Sequence, residues 1–180
     1  MPVFVSLFRA INVGGNQVKM ADLKELHEAL GLKMVATLLQ TGNVVFESEA
    51  TDSAQLARQL SQEFEKRFGF YSEVMVRTAV ELKELVNHNP FLDQPGKETK
   101  WIVVMFLSAS PDKQAQQNLL SSYSGPEEIS IAGREMYIYY TNGIGRSKLT
   151  NALIEKKLKV LGTGRNWNTV TKLLEMTKSD

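Results

Sequence analysis

Apolar positions along this chain switch between a strand-like period of two and a helix-like period of three to four. Residues 3–8 (Val-Phe-Val-Ser-Leu-Phe) are apolar at nearly every position and rich in β-formers, which predicts a central strand. A polar loop with Gly14 and Gly15 leads to a helix over residues 21–30. Leu23, Leu26 and Leu30 share one of its faces, and Gly31 takes the residue beyond its end. Residues 34–39 and 44–48 read as a hairpin about the turn Thr41-Gly42-Asn43. Asp52 with Gln55 forms a capping box for a helix with a stripe of Leu56, Leu60, Phe64 and Phe68, stopped by Gly69. A fourth strand follows at 73–77. The order β-α-β-β-α-β is that of a ferredoxin-like split βαβ unit.

Thr78 with Glu81 caps a short helix that stops before Asn89-Pro90-Phe91, because Pro90 disfavours a helical residue before it. The polar stretch 93–100, with Pro95-Gly96, reads as a linker. Residues 101–107 open a second unit. Ser110 is read as an N-cap with Pro111 at the first helical position. Residues 128–132 and 135–140 pair across Gly133-Arg134, which suits a type II′ turn. A helix at 147–159 capped by Ser147, a short strand at 160–163 and a helix from Trp167 to Met176 complete the pattern. The predicted class is α+β: two tandem ferredoxin-like subdomains, residues 1–92 and 93–180, the second with an extra C-terminal helix. No sequence repeat underlies the repeated order.

Composition narrows the chemistry. The 180 residues hold no cysteine and two histidines, so disulfides and thiolate metal sites are excluded and no metal is expected. His27 reads as a boundary residue beside the apolar stripe, and His88 as a loop residue. The longest apolar run, 101–107, is too short to span a bilayer. The N-terminus lacks a basic leader and reads as a strand, so a cytoplasmic protein with no membrane partner is expected. The net charge of +1 hides an asymmetry: residues 1–132 carry 12 Lys/Arg against 16 Asp/Glu, and residues 133–180 carry 9 against 4. A basic C-terminal quarter offers a surface to a polyanion, or simply solvates two helices.

Three glycine-and-amide clusters carry the candidate chemistry, at residues 9–16, 40–43 and 163–169. In a split βαβ unit the end of strand one and the hairpin joining strands two and three share one end of the sheet. Arg9, Asn12, Gly14, Gly15, Gln40, Gly42 and Asn43 are therefore predicted to converge. The glycines leave backbone N–H groups open as an anion nest, Arg9 adds a planar fork, and the amides supply donors and acceptors. In the third cluster Asn166 or Asn168 caps the last helix, so Arg165 and Trp167 flank its N-terminus. The bland alternative makes these ordinary turns, with Arg165 and Trp167 as packing. Residues 143–148 (Gly-Ile-Gly-Arg-Ser-Lys) sit between strand and helix as a phosphate loop does, yet match neither a Walker A nor a dinucleotide fingerprint. No cofactor is implied. Tyr137, Tyr139 and Tyr140 form an aromatic strand that either stacks bases or packs in a core.

Five ordered blocks resemble one bacterial family, the domain of unknown function numbered 1697. They are Phe8-Arg9-Ala10-Ile11-Asn12-Val13-Gly14-Gly15, Met20-Ala21-Asp22-Leu23, Gln40-Thr41-Gly42-Asn43-Val44-Val45-Phe46, Asn89-Pro90-Phe91 and Arg165-Asn166-Trp167-Asn168-Thr169-Val170. The resemblance spans essentially the whole chain and implies ferredoxin-like subdomains with no established activity or catalytic residue. The family pattern has glycine where this chain has Ala10, which argues against a positive φ there, and serine where it has Thr41.

These features support a binding protein for a small anionic ligand, phosphorylated or nucleotide-like. A single-stranded nucleic-acid module is the second class. A transferase acting by positioning is the third, since the clusters hold no acid, base or thiol.

Overall fold

The computed structural model describes residues 1–178. Among them lie two four-stranded antiparallel sheets and six α-helices. Contacts divide the chain into two units, with cuts inside α3 (Ala79–Asn87) and α6 (Trp167–Met176). The first unit is residues 1–84 with the chain's end from Lys172, and the second is Leu85–Thr171.

The first unit runs β1 (Val3–Phe8), α1 (Met20–Ala29), β2 (Lys33–Leu38), β3 (Asn43–Glu47), α2 (Ser53–Phe68) and β4 (Val74–Thr78), with strand order β2-β3-β1-β4. β3 is antiparallel to both β1 and β2, so those two run parallel and the chain crosses over through α1. Alternation aims Phe4 and Phe8 of β1 at the helices, where they pack with Phe46, Leu23, Leu60 and Phe64. The Phe8 and Phe64 ring centroids lie 5.3 Å apart. Burying each such side chain contributes about 1.5–3 kcal/mol. Asp52 caps α2 through the N–H groups of Ala54 and Gln55, and Gly69 ends it with φ +80°. The Thr78–Glu81 box is reciprocal: the Thr78 N–H donates to the Glu81 carboxylate at 2.8 Å, and the Glu81 N–H donates to Thr78 Oγ1 at 3.0 Å.

His27 is a correction. It is fully buried in this core, not at its boundary. Its Nδ1–H donates to the Leu23 carbonyl at 2.7 Å, and its Nε2 accepts from the Ser6 hydroxyl at 2.9 Å. The Leu23 carbonyl can only accept, so the proton of the neutral ring sits on Nδ1. Burial pulls its pKa down to about 4, against the raising effect of the Leu23 bond.

The second unit runs β5 (Ile102–Leu107), α4 (Lys113–Ser122), β6 (Glu128–Ala132), β7 (Glu135–Tyr139), α5 (Asn151–Leu158) and β8 (Gly162–Asn166), with order β6-β7-β5-β8. Gly133 takes φ +59° at the first central position of the β6–β7 turn, as a II′ turn demands. Two expected caps move. Asp112, not Ser110, caps α4 by accepting from Ala115 N–H at 2.7 Å. Thr150, not Ser147, caps α5 by accepting from Leu153 N–H at 3.2 Å. The stretch read as a linker is anchored: Lys97 pairs with Glu128 at 2.6 Å and lies 4.9 Å from the Tyr139 ring centre.

Candidate functional site

The bends at residues 9–16 and 40–43 do meet. Phe8 N–H donates to the Gly42 carbonyl at 2.9 Å. Asn12 Nδ2 donates to the Gln40 carbonyl at 2.5 Å and to the Val18 carbonyl at 2.9 Å, while Asn12 Oδ1 accepts from Val18 N–H at 2.6 Å. Asn43 is fully buried and donates to the Leu38 carbonyl and the Thr41 hydroxyl. Asn12 therefore ties the two bends to each other, and Asn43 braces its own hairpin.

Gly42, at φ +86°, has no room for a side chain: a Cβ there would lie 2.6 Å from Ile11 Cδ1 and 2.9 Å from Phe8 Cβ. Its role is close packing. Arg9 is half-buried and its backbone is bonded to Glu73 and Ser72. Gly14, Gly15 and the Gln40 side chain are exposed at the rim. Ala10, where glycine's absence argued against it, does take φ +57°.

The third cluster is interior in character. Arg165 is 6% exposed, and its guanidinium donates to Thr163 Oγ1 at 2.6 Å and to the Gly164 carbonyl at 2.9 Å. Burial lowers its pKa to about 10, so it stays charged at neutral pH. Asn166 caps α6 through Thr169 N–H at 2.9 Å, and Trp167 is buried. The tyrosines of the basic quarter are buried too. Tyr137 donates to the Leu85 carbonyl, Tyr140 donates to the Leu149 carbonyl, and Tyr139 accepts from Glu98 N–H. They leave no aromatic face on β7 for a base to stack on.

An open cleft of about 940 Å³ lies elsewhere in the second unit. Glu128 pairs with Tyr139, so the loop entering β6 and the loop leaving β7 emerge at one end of the sheet. The first contributes Tyr123, Gly125 and Glu127, and the second contributes Gly143, Arg146, Ser147 and Lys148. Arg146 and Lys148 are exposed, with no carboxylate paired to either among the described residues. Nor does any acceptor among those residues take the backbone N–H of Ile144, Gly145, Arg146 or Lys148.

Glu127, 9% exposed, joins the two loops: it accepts from the Tyr123 hydroxyl on one oxygen and from Ser147 Oγ on the other, at 2.5 Å. Ser147 Oγ in turn accepts from Leu149 N–H at 3.0 Å. Burial pushes the Glu127 carboxyl up, but the hydrogen bonds from Ser147, Tyr123 and its own backbone N–H together hold it below its ordinary value. Burial and the bond to Glu127 push the Tyr123 hydroxyl up. A Cβ on Gly125 would collide with the Tyr123 phenol and lie 2.7 Å from Glu127 Oε2.

Sequence reasoning noticed the 143–148 loop but missed Tyr123 and Glu127. Their signal was topological: the loop that enters one strand of a hairpin and the loop that leaves the other share an end of the sheet, here the end opposite the Gly133 turn. Among the described residues, no group of three or more His, Asp or Glu side chains is placed to hold a metal ion. No helix there is long and apolar enough to cross a membrane.

Residues 1–137 match the family described as "Protein of unknown function (DUF1697)". The chain belongs to that family. The matched stretch includes Tyr123, Gly125 and Glu127 and ends within β7, before the loop that carries Arg146 and Lys148. The chain is also similar to a solved structure, the conserved bacterial protein SP0830 from Streptococcus pneumoniae. The two are 21% identical over 98% of this chain and 99% of that one, with a TM-score of 0.74. At that identity the likeness speaks for the fold alone. Among curated proteins none matches the chain.

Proposed function

We propose that this protein binds a small phosphorylated ligand, and that the ligand sits in the cleft of the second unit. Each unit is read as a ferredoxin-like βαββαβ element. The strand orders β2-β3-β1-β4 and β6-β7-β5-β8 support that reading. One observation carries the functional reading: Arg146 and Lys148, with no carboxylate paired to either among the described residues, bring their own open backbone N–H groups to the wall of a ligand-sized cavity. The bends of the first unit share the right residue types but use them internally. Glu127 is held ionised, so it accepts hydrogen bonds rather than delivering a proton, which favours binding over acid catalysis.

Thermal unfolding tests this. At a hundredfold excess over its Kd a ligand stabilises the folded state by about 2.7 kcal/mol, which raises Tm by roughly 5–10 °C for a chain of this size. Inorganic phosphate or a sugar phosphate is expected to produce such a rise in wild type and in Arg9→Ala. The rise is expected to vanish in the double variant Arg146→Ala, Lys148→Ala. The opposite pattern would return the anion to the bends of the first unit.

A further inference from the structure

Each sheet ends in two edge strands, and β6 differs from the other three. In β4 the Val76 carbonyl accepts from the Arg77 guanidinium at 3.1 Å, and the Thr78 N–H donates to the Glu81 carboxylate at 2.8 Å. In β8 the Gly162 N–H donates to the Glu155 carboxylate at 2.8 Å, and the Gly162 carbonyl accepts from Asn151 Nδ2 at 3.2 Å. β2 is interrupted: its register shifts between Lys33 and Ala36, and Met34 within the shift takes φ +50°. Side-chain cover, a lysine and a broken register all keep an edge from pairing with another chain.

β6 has none of these devices. Its register with β7 is unbroken, it contains neither proline nor lysine, and each of its residues is exposed or half-exposed. The direction of its backbone follows from the neighbouring ladder. The Leu107 N–H donates to the Arg134 carbonyl at 2.8 Å and the Tyr140 N–H donates to the Trp101 carbonyl at 2.9 Å, so the even-numbered residues of β7 bond to β5. The odd-numbered residues turn the other way, onto Glu128, Ser130 and Ala132. The N–H and carbonyl groups of Ile129 and Ile131 therefore point out of the sheet, and nothing among the described residues bonds to them.

The strand is complementary to itself. Rotated about a two-fold axis through Ser130, a second β6 runs antiparallel, with Ile129 of one copy opposite Ile131 of the other. Each such pair exchanges two N–H···O bonds, and the two pairs together use every outward-facing group. Ser130 meets its twin on the axis, in the close, non-hydrogen-bonded kind of pair where a small side chain fits. Glu128 stands opposite Ala132, so no like charges meet. The two isoleucines extend the face that already packs on the core of the second unit. Pro126, which has no N–H, and the turn at Gly133 bound the pairing at its two ends. An unrelated peptide would satisfy the backbone alone, whereas a second copy satisfies backbone and side chains.

We propose that this protein self-associates through β6, joining two copies of the β6-β7-β5-β8 sheet into one continuous sheet across a two-fold axis. A five-residue strand buries less than the roughly 800 Å² per partner of a standard interface, so the dimer is weak and forms with rising concentration.

The chain lacks cysteine, so Ser130→Cys introduces a single thiol on the axis. Cα atoms in a pair of this kind lie about 4.5 Å apart, within the range a disulfide spans. Mild oxidation is expected to convert Ser130→Cys to a covalent dimer. Ala132→Cys, on the same face, is expected to resist, because its twin lies about 14 Å away along the strand. Sedimentation of wild type is expected to pass from monomer at about 1 μM toward dimer near about 1 mM. Ile131→Pro removes an outward donor without touching the β7 ladder and is expected to weaken that dimer at least about tenfold. A wild type that stays monomeric throughout overturns the proposal. So does a wild-type dimer in which Ser130→Cys fails to cross-link, or links no faster than Ala132→Cys, or one that Ile131→Pro leaves unchanged. Should Ile131→Pro not fold, sedimentation of wild type and the two cysteine variants decide the matter.

Discussion

The bends of the first unit and the cleft of the second are built from the same kinds of residue, glycines, amides and basic side chains at the end of a four-stranded sheet. They have come to opposite uses. In the first unit Asn12 and Asn43 direct their amides at backbone carbonyls of neighbouring turns, and Gly42 lets Phe8 and Ile11 close over it. In the second, the polar groups of Arg146 and Lys148 find no partner among the described residues and border an open volume. Composition does not separate a structural turn from a binding loop. The destination of each hydrogen bond does.

Glycine substitution breaks the comparison most sharply. Gly42→Ala forces an L-residue into φ +86° and drives its methyl into Ile11 and Phe8. The backbone term is about 1–2 kcal/mol and the overpacking term about 1–3 kcal/mol. A total loss of about 3 kcal/mol or more is expected in urea unfolding. Gly145→Ala is the matched control, since a Cβ there meets nothing within 4 Å. It is expected to change stability by less than about 0.5 kcal/mol. Equal effects at the two positions would mean that the bends of the first unit are not tightly packed.

Acid separates the units by a different route. The His27 pKa of about 4 in the folded chain lies below its ordinary 6.5, chiefly because burial disfavours the charged ring. Between those values the unfolded chain binds a proton that the folded chain refuses. The stability tied to the neutral ring is therefore complete above about pH 6.5 and is lost as pH falls toward 4. A shift of that size corresponds to about 3 kcal/mol. Hydrogen exchange is expected to show protection falling first in β1 and α1 as pH drops from 7 to 4.5. His27→Gln, which cannot take up that proton, is expected to flatten the trend. If wild type and variant lose protection in parallel, His27 is not the group responsible.

Much of this was legible in the sequence, and the failures have identifiable causes. Val3–Phe8 and Glu128–Ala132 were readable as runs of β-formers, and the Gly133 turn because glycine reaches the positive φ that a tight hairpin turn needs. The meeting of the two bends followed from strand order alone. Whether Asn12 would face inward did not, because amide orientation depends on carbonyls such as Gln40 and Val18 that only the folded loop brings close. His27 stands four residues after Leu23, squarely on the buried stripe; its polarity hid a position that helical period had assigned. The α5 cap was misread for a related reason. Ser147 and Thr150 are equally eligible locally, and Glu127, twenty residues away, claims Ser147.

The smallest effect tests the finest difference. Ala10 takes φ +57° and Asn12 takes φ +56°, so the chain turns left-handed twice on leaving β1. Asparagine tolerates that region and alanine does not, at a cost of about 1–2 kcal/mol. Glycine removes the steric term but adds freedom to the unfolded chain worth roughly 0.5–1 kcal/mol. Ala10→Gly is therefore expected to raise stability slightly, by no more than about 1 kcal/mol, read as a higher denaturant midpoint at unchanged slope. Ala10 is exposed, so no packing is lost in the exchange. A lower midpoint would show that the left-handed bend at residue 10 carries no strain. The first unit would then tolerate its tight junction without the penalty that the open loops of the second avoid.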